Sequence, residues 1–321
     1  MDVSSAFEGF QKVVNADPEA VKEARARRDL FKTAFCAQPD IREVVPSGSL
    51  ARGTQKHPIH DVDVILIYDE DKHPDWGHPG ASAADALDYT RGKVNQLLGA
   101  TYGTVDNAVR LAKWRNHAVK CFFDHPDDPD RFTVDAMPAF RRDGKLLIPE
   151  ALSEDWVFCD PEYLINEVAA RHAVWNKYAG TVRMLKYWAK AQSGIEIKSL
   201  VMEVLTLEHL PLGHPQPTAV SRFFTAASYY IEGGSEVVDP AQICGPIQSD
   251  LDYTEFADRL ATARDHAVAA RKAQAANDTA AAISHWRELF GQDFPAPPSS
   301  GSGPAPAVPL LPRPVKDTPQ G

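Results

Sequence analysis

Asp61-Val62-Asp63 leads straight into the apolar run Val64-Ile65-Leu66-Ile67-Tyr68. A short run this apolar is what a strand buried on both faces requires. Alternate residues of a strand point to one face, so Asp61 and Asp63 project side by side. Carboxylates held together repel, and charge at the mouth of a buried strand is costly unless paired or liganded. A hard divalent cation resolves both problems, and Mg²⁺ is usually held by one or two carboxylates together with substrate phosphates.

A third acid strengthens this reading. Asp135 lies within Phe132-Thr-Val-Asp-Ala-Met137, another apolar strand pattern with one carboxylate in its middle. A lone D-x-D recurs by chance and fits a solvated strand edge. Three acids from two strands suit a two-metal, in-line displacement at phosphorus. Upstream, Gly48-Ser-Leu-Ala-Arg-Gly53-Thr54 has the glycine spacing of a P-loop without the Lys-Ser/Thr that should follow, which disfavours a Walker-type NTPase. Two readings stay open for it: a plain glycine turn, or a short anion-binding turn using backbone N–H groups and the Ser49 hydroxyl. Lys186, the one lysine in the mostly apolar stretch Val182–Trp188, either snorkels or aims at an anion. His57 and His60 read as surface-loop histidines and are given no metal.

With 321 residues the chain has room for two domains. Asp17-Pro18-Glu19 starts a helix that runs to about Phe35, and residues 41–45 form a strand before the glycine turn. A helix is expected over 81–98, then strands over 108–114, 118–123 and 132–137, giving an α/β or α+β sheet domain that ends near 150. The second half is helical. Asp160-Pro161-Glu162 opens a stretch to about Ser193 with a break at Gly180, followed by helices over 198–209, 218–232, 253–275 and 279–290. From Ala296 the chain is rich in Pro, Ser, Gly and Ala and reads as a disordered tail. A net charge of −10 without a basic block gives no strong case for nucleic-acid binding. The absence of a leader or a membrane-length apolar run points to a cytoplasmic protein, and four widely spaced cysteines read as buried, reduced thiols.

Taken together, Gly48-Ser49, Asp61-Val-Asp63 and Thr133-Val-Asp135 resemble the G-S…D-x-D…D pattern of the bacterial cGAS/DncV-like nucleotidyltransferases (CD-NTases), relatives of cGAS and oligoadenylate synthase. Arg183-Met-Leu-Lys186-Tyr-Trp188 and Lys198-Ser199-Leu-Val-Met-Glu203 are similar to that family's R-x-x-K-x-W and K-S-x-x-x-E helices. The likeness covers about residues 40–295. It implies an α+β chain with a polymerase-β-like nucleotidyltransferase lobe over 1–155, a helical lobe over 156–295, and the site between them. By the same resemblance, Asp61, Asp63 and Asp135 hold two Mg²⁺ ions, with Mn²⁺ able to substitute, while Gly48, Ser49, Lys186 and Ser199 grip the donor triphosphate. The implied activity joins ATP or other NTPs into cyclic di- or trinucleotides with release of pyrophosphate, as second messengers in antiphage (CBASS) defence. Transfer of NMP to an RNA end, a protein or a small molecule is the alternative that the same three acids allow. Leu200 stands where animal relatives place a base-stacking aromatic, so base choice stays open. Some members are conjugated through a terminal glycine by a ubiquitin-transfer-like partner, and Gly321 at the end of the tail fits that or another regulator as well as it fits a frayed terminus.

Overall fold

The computed structural model describes residues 1–99, 108–125, 127–128 and 131–297. The expected tail, Gly321 included, lies outside the described residues except for 296 and 297.

Among the described residues seven strands form one sheet: β1 (Ile41–Ser47), β2 (Asp61–Tyr68), β3 (Leu111–Trp114), β4 (Val119–Phe122), β5 (Thr133–Arg142), β6 (Lys145–Glu150) and β7 (Asp155–Cys159). The order is β1-β2-β5-β4-β3, and the far half of β5 turns away to pair with β6, which in turn pairs with β7. All pairs are antiparallel except β2–β5.

The alternation of β2 decides the layers. Val62, Val64, Leu66 and Tyr68 enter a core roofed by α2 (Pro18–Cys36) and α4 (Ser82–Leu98). Ile65 and Ile67 point the other way, into a smaller cluster with Val45, Ala139, Leu146 and Ile148. Asp61 and Asp63 share that second face by strand period.

The helical lobe holds α5 (Pro161–Val174), α6 (Tyr178–Lys190), α7 (Ser199–His209), α8 (Gln216–Glu232), α9 (Tyr253–Ala275) and α10 (Thr279–Phe290). Asp17, Asp160, Asp252 and Asp278 each cap a helix by accepting backbone N–H bonds, as the acid-led starts predict.

The structure departs from the sequence expectations at several points. The first helix, α1 (Val3–Val14), belongs to the helical core and not to the sheet lobe: Phe7 packs edge-on against Trp286, and Phe10 lies against Tyr187 and Phe290. β6 and β7 were not expected, and β7 carries the sheet lobe up to Cys159, so the change of lobe falls at Asp160. Gly180 does not break a helix; it lies inside α6, where a Cβ would come within 2.2 Å of the Gln11 Oε1 of α1. The interruption is instead at Trp175–Lys177, between α5 and α6. Only Cys121 is a buried thiol, while Cys36 and Cys244 are exposed, because they lie at a helix end and in a loop.

Candidate active site

The parallel register of β2 and β5 sets Asp63 opposite Asp135 and Asp61 opposite Thr133. All three carboxylates therefore stand on one face of the sheet, at the end where β2 and β5 begin. Burial pushes the Asp63 carboxyl up to about 7, and the charges of Asp61 and Asp135 push in the same direction. Asp135 is raised as well, chiefly by burial, against the pull of Lys120, whose Nζ lies 3.2 Å from Asp135 Oδ1. These are hard oxygen donors short of positive charge, and that is the chemistry a divalent cation fits.

Gly48 faces them. It opens the short helix α3 (Gly48–Arg52) with φ of +70°, and a Cβ there would lie 1.7 Å from Asp63 Oδ2. A side chain is excluded by conformation and by space alike. The glycine brings the backbone of α3 directly onto Asp63, and the Gly-Ser segment is the start of a short helix and not a bare turn. Ser49, the next residue of α3, borders the same cleft.

The opposite wall comes from the helical lobe. Gly48, Ser49, Asp61, Asp63, Asp135, Lys186 and Ser199 all line one cleft of about 830 Å³. Ser199 begins α7 without a side-chain cap, which leaves the positive end of that helix open to an anion. His60 also borders the cleft, and His57 is exposed, as expected of loop histidines. A larger hollow of about 1080 Å³ elsewhere is lined by Asp160, Glu162 and Glu167, but Arg25 and Arg28 share that lining, unlike the strand-borne acids of β2 and β5.

Lys186 is engaged in a way the sequence did not reveal. It is 4% exposed and donates to Glu203 Oε1 at 2.6 Å and to the Thr54 carbonyl at 3.1 Å. Glu203, 1% exposed, also accepts from Arg52 Nε at 2.6 Å and from Thr54 Oγ1 at 2.9 Å. Burial opposes its charge, but Lys186 and Arg52 overcome this and hold the carboxyl down at about 2. Arg183 donates to the Gly53 carbonyl at 2.6 Å and to Asn15 Oδ1 at 2.9 Å. The helical lobe thus grips the segment that joins α3 to the Asp61-Val-Asp63 strand. Glu203 could have been found by the reasoning that found Asp135, since it is a lone acid in the apolar stretch Val201-Met-Glu-Val-Leu205.

No protein-family model and no curated protein matches the sequence. Solved structures do. The CdnC of the E. coli MS115-1 CdnC:HORMA-deltaN complex superposes with a TM-score of 0.68 at 18% identity, covering 92% of this chain and 99% of that one. The Bradyrhizobium diazoefficiens CD-NTase CdnG in complex with GTP gives 0.66 at 12% identity, over 89% and 95%. Vibrio cholerae DncV in its 3'-deoxy GTP bound form gives 0.57 at 11% identity, over 91% and 86%. The fold is that of a CD-NTase. It is a polymerase-β-like nucleotidyltransferase architecture, a mixed sheet packed on helices, and the likeness extends over nearly the whole of each chain.

Proposed function

We propose that this chain is a divalent-metal-dependent nucleotidyltransferase that joins NTPs into cyclic di- or trinucleotides with release of pyrophosphate. One observation carries the reading. The β2–β5 register sets Asp63 beside Asp135 with Asp61 on the same face, Asp63 lies directly against Gly48, and the open end of α7 borders the same cleft. Acids on one wall and cations with helix termini on the other suit a polyanion that arrives with its own metal. A shared fold alone would not give this chemistry.

In this reading Asp61 and Asp63 hold two Mg²⁺ ions and Asp135 completes the set on the acceptor side. The ions would supply charge neutralisation at phosphorus and acidify the attacking hydroxyl. The chain's own residues do the positioning. Gly48 lets the α3 backbone approach the phosphates, and Ser49 and Ser199 offer hydroxyls from the two lobes. Lys120 pairs with Asp135, which in this reading would take the proton of an acceptor hydroxyl. No protein nucleophile is required.

ATP is the first substrate to try, since structures of this fold have been determined with ATP and with GTP. A role in antiphage second-messenger signalling in the cytoplasm, under a regulator of the kind seen with CdnC or through conjugation at Gly321, belongs to the same proposal. No helix among the described residues is long and apolar enough to cross a membrane.

The test is to incubate the pure protein with four NTPs and Mg²⁺ or Mn²⁺, treat with phosphatase, and analyse by mass spectrometry. Cyclic products resistant to phosphatase, absent with Asp61→Ala or Asp63→Ala, support the proposal. Label transferred from NTP to an RNA end or a protein, with no cyclic product, would replace it with the other transferase activity.

A further inference from the structure

The cation that a phosphate tail would be expected to meet, Lys186, is already committed. Two of its three N–H bonds go to Glu203 and to the Thr54 carbonyl. Glu203 is also the partner of Arg52, so one carboxylate is shared between two cations and offsets half of their combined charge. The cleft nevertheless carries more positive charge than this cluster supplies. Lys56, Lys190 and Lys198 border it too. Lys198 also faces a second hollow beside Asp250 and Asp252. Lys56 and Lys190 have no such alternative, and among the described residues neither makes an ion pair.

The backbone fixes the position of Lys56 beside the cleft. Lys56 forms an isolated antiparallel bridge with Asn15 at the end of α1, and the following N–H, of His57, donates to the Val14 carbonyl at 3.2 Å. Lys190 lies one turn beyond Lys186 on α6, at the (i, i+4) spacing that places both on one helix face. The charges of Lys186 and Lys190 repel that of Lys56, and with burial they lower its pKa, while Asp61 acts in the opposite sense. Lys56 is half-buried, Lys190 stands exposed at the rim, and an anion between them would offset the repulsion that Lys56 meets.

We infer that Lys56 and Lys190 form the primary binding site for the polyphosphate tail of the donor nucleotide, with Lys186 held back as the tie between the lobes. This deepens the nucleotidyltransferase reading and rests on it for the nature of the donor. The anion site itself stands on the cleft geometry. Lys56 belongs to the polar loop Gln55-Lys-His-Pro58, which looks like plain surface in sequence. Its role follows from the attachment of that loop to α1.

Titration calorimetry with inorganic tripolyphosphate and with a non-hydrolysable ATP analogue plus Mg²⁺ tests the inference, with adenosine as the uncharged control. Lys56→Gln and Lys190→Gln should each weaken tripolyphosphate and analogue binding by about tenfold or more, the loss of a charge-assisted contact. Adenosine binding should be unaffected, and Lys56→Arg should restore most of the loss. Melting curves check that each variant is folded. Wild-type protein that fails to bind tripolyphosphate, or a Lys56→Gln variant that binds it as wild type does, overturns the inference. Tripolyphosphate binding that depends on Lys56 in a chain making no nucleotide product would uphold the anion site and remove the enzyme reading.

Discussion

Glutamine at position 203 would keep the shape of the buried glutamate and remove the charge that Arg52 and Lys186 share. In the native protein the carboxylate accepts from Arg52, Lys186 and Thr54 at 2.6, 2.6 and 2.9 Å. Its pKa falls from 4.5 to about 2 despite burial. A shift of that size is about 3 kcal/mol of stabilisation by linkage. The amide supplies one acceptor, and its NH₂ meets groups that are themselves donors, so Glu203→Gln should cost about 3 kcal/mol, the lower end of what breaking a buried pair costs. The sign with pH follows from the depressed pKa. The contribution is complete above the unfolded value of 4.5 and fades as pH falls toward 2. Urea denaturation of both proteins should show a gap that is flat from about pH 8 to about pH 5 and shrinks to about 2 kcal/mol near about pH 3.5. A loss below about 1 kcal/mol at neutral pH, in the range of exposed ion pairs, would refute this account of how the lobes are joined.

Three further perturbations bear on the same architecture. Gly48→Ala forces a Cβ into the space of Asp63 Oδ2 from a backbone at φ +70°; it should abolish turnover and lower stability by about 1–3 kcal/mol, read by product assay and thermal melting. Asp63→Asn should abolish the proposed activity yet stabilise the protein when melted in chelator. The Asp63 carboxyl is raised from 3.8 to about 7, so its penalty grows as pH rises through that interval. The gain should approach about 4 kcal/mol at about pH 8 and be smallest near about pH 4. Phe7→Ala removes a fully buried ring from the contact of α1 with Trp286 and Phe294. It should cost about 3–5 kcal/mol by denaturant titration, which a frayed N-terminal helix would not.

Local physics made much of the fold and site legible. An acid inside an apolar strand has to be paired or liganded, and that argument reached Asp61, Asp63 and Asp135 without any structure. Helix starts at Asp17 and Asp160 were readable because cap, proline and acid act over adjacent residues. What escaped depends on partners distant in sequence. β6 contains Pro149 and β7 is only five residues long after the turn at 151–154, and each takes its place by pairing, β6 on β5 and β7 on β6. Gly180 reads as a helix break in isolation, whereas the close passage of Gln11 accounts for it in the fold. The amphipathic face of α1 announces that the helix is buried but not against which lobe, and Lys56 acquires meaning only once α1 is placed.

The segment from Arg52 to Lys56 ties these observations together. Arg52 pairs with Glu203, the Gly53 carbonyl takes a bond from Arg183, and Thr54 bonds both Lys186 and Glu203. Lys56 is bridged to Asn15. Four of these five residues are thus fastened to the helical half, although the segment lies between Gly48-Ser49 and Asp61-Val-Asp63 in the sheet half. A small movement of the helical lobe would therefore pull on the short helix α3 and on the loop entering β2. Packed cores respond to such movement by switching between arrangements and not by gradual deformation. A regulator that bound only the outer surface of the helical lobe could act on the cleft through this segment, without touching an acid or a nucleotide.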